Sequence, residues 1–258
     1  MKPFRTFSAL LGALVLASCS FEKNAVQDIT GPISSSRIKF FHFGVNAPGV
    51  NFYAGDAKVT AITSATGVES TTGVVYGGAG SGGFYSAINP GSYVLTGKIA
   101  ATVDKDVSIS PVTATITDGK AYSYYMSGFY NTATKTAEGF VIEDAIPPAI
   151  DYTQAYVRFV NAISNSSPMT LFAKNTTSLT EVTVGGLVAY KAGGAFTALP
   201  EGVYDLSTRE SGATVNKISR AAVSFVAGRV YTIGARGDIT VVSTTLANRP
   251  ILDNTANR

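Results

Sequence analysis

The chain has 258 residues, of which 45% are hydrophobic and 14% charged, with 26 Gly, 13 Tyr, 14 Phe, no Trp, one Cys and one His. So low a charge density excludes a disordered polyelectrolyte and a salt-bridge-laced helical bundle. A single Cys excludes an intramolecular disulfide and a zinc site built on Cys pairs, and a single His excludes any site that needs two imidazoles.

The N-terminus reads as a targeting segment. Lys2 and Arg5 form a short basic region, and the stretch from Phe7 to Ala17 is apolar apart from Ser8. That run is too short to span a membrane, which needs about 20 residues, but it suits the core of a secretory signal peptide. Leu16-Ala17-Ser18-Cys19 resembles the lipobox of bacterial lipoproteins. The resemblance implies cleavage after residue 18, a diacylglycerol on the Cys19 thiol and attachment to the membrane through lipid alone. Without residues 1–18 the chain carries 18 basic and 17 acidic residues, a net charge of 18 − 17 = +1. A near-neutral surface gives no electrostatic case for nucleic acid. Ser20, rather than Asp, after the cysteine points to the outer membrane of a Gram-negative bacterium, on its periplasmic or its surface face. Residues 19–36, with Gly31-Pro32 and Ser34-Ser35-Ser36, lack periodicity and read as a flexible tether.

Beyond the tether the sequence repeats. Arg37-Ile38-Lys39-Phe40-Phe41-His42 answers to Tyr156-Val157-Arg158-Phe159-Val160-Asn161. Val50 to Ala54 answers to Met169 to Ala173, Pro90 to Leu95 to Glu201 to Leu206, and Gly119 to Ser123 to Gly228 to Thr232. Four anchors in one order indicate a duplication, with copies at 37–145 and 153–250, a stiff Pro147-Pro148 linker at 146–152 and a polar tail at 251–258. Within each copy apolar residues alternate. Tyr93 and Leu95, Ala114 and Ile116, and Val223 and Phe225 each share a face, the signature of half-buried strands separated by turns such as Asp118-Gly119. The pattern predicts an all-β protein of two tandem immunoglobulin-like β-sandwich domains, with a small β-barrel as the alternative. The absence of Trp and of a disulfide excludes a true immunoglobulin domain.

The repeat resembles a family of bacterial envelope domains of unknown function that open on a Val-Arg-Phe-Val-Asn-Ala strand, carry a Pro-Gly-x-Tyr turn and close on Gly-x-x-Tyr-Thr. Val157 to Ala162, Pro90-Gly91-Ser92-Tyr93 and Gly228 to Thr232 carry the likeness; His42 departs from it where the motif has Asn. The resemblance implies fold and location and assigns no catalytic residue.

Motifs with chemical potential receive structural readings. Gly78-Ala79-Gly80-Ser81-Gly82-Gly83 fits G-x-G-x-x-G, but a strand and turn follow it where a dinucleotide site needs a helix, so it reads as a flexible hairpin loop. Ser81 lacks the strand-to-helix elbow and the triad of a serine hydrolase, and His42 reads as a hydrogen-bonding residue at a strand end. Asp104-Lys105-Asp106 and Glu143-Asp144 lack a calcium loop and read as turn caps and solvated charge. No catalytic, cofactor or metal residue is assigned.

Copy one is the longer. From Phe52 to Gly91 it spans 39 positions against 31 from Leu171 to Gly202, and from Gly119 to Ile142 it spans 23 against 14 from Gly228 to Val242. A binding surface is therefore expected on copy one, at Tyr125, Phe129 and Tyr130, where parity turns Tyr125 away from the core face of Tyr122, Tyr124 and Met126. The function expected is non-enzymatic: an envelope module that binds or spaces a protein or glycan partner. The rival is an envelope hydrolase whose carboxylates meet only in the fold.

Overall fold

Alternating apolar residues on short strands can bury one face only by stacking two sheets, and both halves of the chain do so. The computed structural model describes residues 34–257. The signal peptide, Cys19 and the tether as far as residue 33 lie outside the described residues. The first half contains β1 (Arg37–His42), β2 (Val50–Ala54), β3 (Ala57–Lys58), β4 (Ser86–Ala87), β5 (Gly91–Ile99), β6 (Val112–Ile116), β7 (Ala121–Asn131) and β8 (Thr136–Glu143). The second contains β9 (Gln154–Asn161), β10 (Met169–Asn175), β11 (Glu181–Val188), β12 (Ala192–Gly193), β13 (Thr197–Pro200), β14 (Gly202–Glu210), β15 (Ile218–Phe225), β16 (Val230–Arg236) and β17 (Ile251–Ala256).

The two halves share one topology. In the first, sheets β4-β1-β7-β8 and β3-β2-β5-β6 face each other; in the second, β12-β9-β16-β17 and β11-β10-β14-β15 do, with β13 beside β12 on the edge of β9. Each half pairs its first strand in parallel with a late one, β1 with β7 and β9 with β16, while the other ladders run antiparallel. The inward residues form two separate cores. Ile38, Phe40, Phe52, Leu95, Ile116 and Tyr124 belong to one; Val157, Phe159, Leu171, Leu206, Phe225 and Ile233 belong to the other. The alternation predicted at Leu95, Ile116, Val223 and Phe225 is thus the core pattern.

Most of the extra length of the first half lies at one place. Val59 bonds back to Phe52 and Val74 pairs with Val50, and the chain between them leaves the sheet and returns. There Thr60 accepts a hydrogen bond from the Phe52 amide, and Glu69 binds Asn51 and Lys58. In the second half Gly185-Gly186 alone closes the same gap between Val184 and Leu187, as a bulge opposite Thr170 and Leu171. Both glycines have positive φ, 71° and 83°, which a side chain would strain.

Two boundaries differ from the sequence expectation. Residues 251–256 are the strand β17, paired with β16 along its whole length, and not a polar tail. The returning strand of the second half is therefore this one and not the segment near Val242, so its last connection, residues 237–250, is longer than the β7–β8 turn rather than shorter. Ile251-Leu252-Asp253-Asn254-Thr255 reads as polar because Leu252 alone supplies a core contact, and it is 1% exposed.

Truncating that one anchor tests the assignment. Leu252→Ala is expected to cost about 2–5 kcal/mol of stability in denaturant unfolding. A chain ending at residue 250 is expected to lose the cooperative transition of its second half; an unchanged transition would return 251–256 to the status of a tail.

Candidate functional site

A half-buried sheet has a second face, and here the second faces of two sheets meet. From the first half β1, β7 and β8 present Phe41, Tyr125 and Phe140, joined by Phe43 just beyond β1; from the second, Val160 and Ala162 cover them. The rings of Phe41 and Tyr125 stack at 4.8 Å and 11°, and those of Tyr125 and Phe140 at 5.0 Å and 17°, one ring per strand across three neighbours. Tyr190 closes the row edge-on to Phe140 and bonds Ser127 at 2.9 Å. A Cβ at Gly234 would lie 3.1 Å from the Phe43 ring, so glycine lets the two sheets approach.

The other end of the seam is polar and equally dry. Arg158 donates to Asp144, to the Glu143 carbonyl at 3.1 Å and to the Thr232 hydroxyl at 2.9 Å. The second oxygen of Asp144 accepts from Ser123 at 2.8 Å and Tyr85 at 2.6 Å. Asn257 donates to the Tyr85 hydroxyl and accepts from Thr232, both at 2.9 Å. Lys39 lies over the Tyr85 ring, 4.3 Å from its centre, and donates to the Ala256 carbonyl. Burial lowers the Lys39 ammonium to about 8, with Asp144 opposing, and raises the Tyr85 phenol. Asp144 is therefore not a solvated charge, as the sequence suggested, but a buried ion-pair partner shared between the halves. The missed signal was a basic residue at the same place in both apolar opening strands, Lys39 and Arg158.

The other sequence-singled residues take structural places. His42 is buried at the end of β1, its Nε2 2.9 Å from the Pro48 carbonyl, and desolvation holds its imidazole down at about 4. Asn161 occupies the matching place and binds Ser166 and the Ile163 amide. The Gly-rich segment is no flexible hairpin. Ala79 bridges Phe41, His42 and Gly78 share a backbone bond, and Gly80–Gly83 forms a tight turn with left-handed backbone at Ser81 and Gly82, so the segment is the edge of the β1 sheet. Asp104 pairs with Lys135 in a turn. Among the described residues no group of three or more His, Cys, Asp or Glu is placed to hold a metal.

The three aromatics expected at a binding surface are not brought together. Tyr125 does point away from the first core, but it is 1% exposed, because the face it occupies is covered by the second sandwich. Parity shows which side of a strand a residue takes; it does not show what lies on that side. Gly128 interrupts the β7–β8 register, so Phe129 and Tyr130 continue the strand past a bulge rather than sitting in a loop. Phe129 is 43% exposed, and Tyr130 packs against the first core.

Several openings have volumes of about 390–500 Å³. An apolar cleft of about 500 Å³ lies in the second sandwich between the edge strands β11 and β13, over Val182, Leu199 and Tyr204. A mixed groove of about 390 Å³ runs along the seam between the Gly80–Gly83 turn and β17, with Phe84 on its lip and Asp253 and Thr255 on its far wall.

Residues 155–258 match the family described as a domain of unknown function, DUF4397. No curated protein matches the chain. Among solved structures, a leucine-rich repeat protein from Bacteroides thetaiotaomicron is similar at 10% identity and a TM-score of 0.22, over 79% of this chain and 26% of that one. A proposed cell adhesion protein from Bacteroides ovatus is similar at 10% identity and a TM-score of 0.22, over 88% of this chain and 97% of that one. The chain thus spans about a quarter of the leucine-rich repeat protein's length.

The buried groups carry three measurable consequences. Because the folded state holds His42 at about 4 against 6.5 for a free imidazole, the unfolded chain binds the extra proton between those values. Stability is then fully present above pH 6.5 and falls as the pH drops toward 4, by about 3 kcal/mol. His42→Asn, the residue at the matching place of the second half, is expected to remove that component from a pH series of denaturant midpoints. In the seam, Arg158→Met strands a buried carboxylate and is expected to cost about 3–5 kcal/mol. Tyr125→Phe deletes a buried hydroxyl that has no hydrogen-bond partner and is expected to change stability by under about 1 kcal/mol.

Proposed function

We propose that this chain is a lipid-anchored protein of the bacterial cell envelope, in the outer membrane, whose two sandwiches are tandem copies of one immunoglobulin-like domain. Joined through their seam they act as one non-enzymatic body that binds or spaces a protein or glycan partner. The observation that carries this reading is where the reactive side chains go. Asp144, the one buried carboxylate among the described residues, is saturated by Arg158, Ser123 and Tyr85, and His42 caps a strand end. A hydrolase of the carboxylate type needs two such groups facing a cleft, so the rival reading has less to draw on.

The tandem reading is supported by the strand order common to both halves and by the family match over 155–258. Attachment to the membrane rests on the Leu16 to Cys19 motif. Among the described residues no helix is long and apolar enough to cross a membrane. Several acyl carbons suffice for a stable anchor, at about 0.8 kcal/mol per buried methylene.

Cys19→Ala is the direct test. Fractionation and mass spectrometry of the wild type are expected to show a mature chain beginning at an acylated Cys19 in the membrane pellet. The variant is expected to accumulate uncut or unlipidated. Recovery of normally processed, membrane-bound variant would refute the anchor.

A further inference from the structure

The seam groove is built by both halves, as is the opening over Arg158 and Phe196, and its lining joins the exposed Phe84 ring to Asp253 and Thr255. Phe84 is 77% exposed. It is placed there by backbone rather than by drift. Ser81, Gly82 and Gly83 all take positive φ, and the Phe84 amide bonds back to the Ser81 carbonyl. The groove floor is Phe41, Phe43 and Ala79, part of the buried seam. Across from Phe84, Asp253 and Thr255 lie on the face of β17 opposite to Leu252. The Arg236 guanidinium, stacked over the Tyr76 ring at 4.9 Å, holds Oδ2 of Asp253 through its Nε and leaves Oδ1 as an acceptor. Gly83 lies beside the floor and the β17 wall, 3.7 Å from Ala79 and 3.8 Å from the Thr255 methyl if it carried a Cβ, and its φ of 83° favours glycine.

We infer that this groove is a saccharide-binding site, in which a sugar ring lies on Phe84 and its hydroxyls bond the Asp253 carboxylate and the Thr255 hydroxyl. A sugar ring is the ligand that needs both halves of this chemistry. Its C–H face packs on an aromatic plane, while its rim carries hydroxyls that donate to a fixed carboxylate. Asp253 is already paired with Arg236 through Oδ2, so an apolar ligand would leave only its Oδ1 without a donor. The groove's volume falls within the range of small-molecule sites. This inference rests on the reading of the chain as a binding module and supplies its ligand class.

The test is titration calorimetry of the detergent-solubilised full-length protein with uncharged oligosaccharides: cellohexaose, maltohexaose and chitohexaose. Binding of at least one is expected. Phe84→Ala and the groove-filling Ala79→Leu are each expected to weaken that binding about tenfold or more. The Phe84 variant should do so at unchanged melting temperature, since the ring is exposed, and Phe129→Ala, which lies outside the groove, should bind as the wild type does. Absence of binding to all three sugars, or full binding by Phe84→Ala, overturns the site. Chromatography of the recovered sugar separates the two levels of the argument. Intact sugar with Phe84-dependent binding supports both. Cleaved sugar with the same dependence keeps the site and overturns the non-enzymatic reading. Loss of the site with Cys19-dependent anchoring intact overturns the site alone.

Discussion

Arg158 and Asp144 meet where neither can reach water, and the arrangement of the two sandwiches depends on that meeting. Moving two charges out of water costs several kcal/mol per ion, and their mutual attraction offsets this only when the remaining hydrogen-bonding positions are filled. Here they are: Arg158 has acceptors in Glu143 and Thr232 as well as in Asp144, and Asp144 has donors in Ser123 and Tyr85. Because the donors and acceptors come from both halves, separating the sandwiches would leave each with unpaired groups on a largely apolar face. The stacked row of Phe41, Tyr125 and Phe140 contributes the apolar burial, and the ion pair fixes the register at which that row is covered.

The seam is close to self-complementary. Lys39 and Arg158 hold matching places in the opening strands, Ser123 and Thr232 in the late strands, and Asp144 and Asn257 just after the returning strands. Such pairing is what an isologous contact between two identical subunits produces. The departures from symmetry are the informative part. Asp144 is the ion-pair partner while Asn257 is a neutral bridge, and Tyr125 stands where the second half has Gly234, which makes room for Phe43. One half supplies bulk and charge, and the other supplies space and a neutral amide.

Local pattern made the strands and both cores legible, since burial of Leu95, Ile116, Val223 and Phe225 follows from alternation within a few residues. What alternation cannot express is a third layer. Tyr125, Lys39 and Ser123 point away from their own core, and only contact with residues more than a hundred positions distant in some cases, such as Lys39 with Ala256, determines that they are buried. For the same reason β17 was hidden: a strand that contributes a single core side chain carries almost no periodic signal. The seam groove was illegible for a third reason. Phe84 follows a glycine run that looks featureless in sequence, and its opposing wall comes from the far end of the chain.

The parallel pairing of β1 with β7 has a mechanical consequence. A pull on the chain at Ser34 runs along β1, and the ladder from Arg37 to His42 lies side by side with Ala121 to Met126. Force directed along such a ladder loads its hydrogen bonds together in shear, whereas a hairpin pulled from its open end releases them one at a time. Ser34 and Ser36 are themselves tied to Ile88 and Thr117. The strand nearest the N-terminus is thus the one best placed to carry tension into the fold without unzipping it.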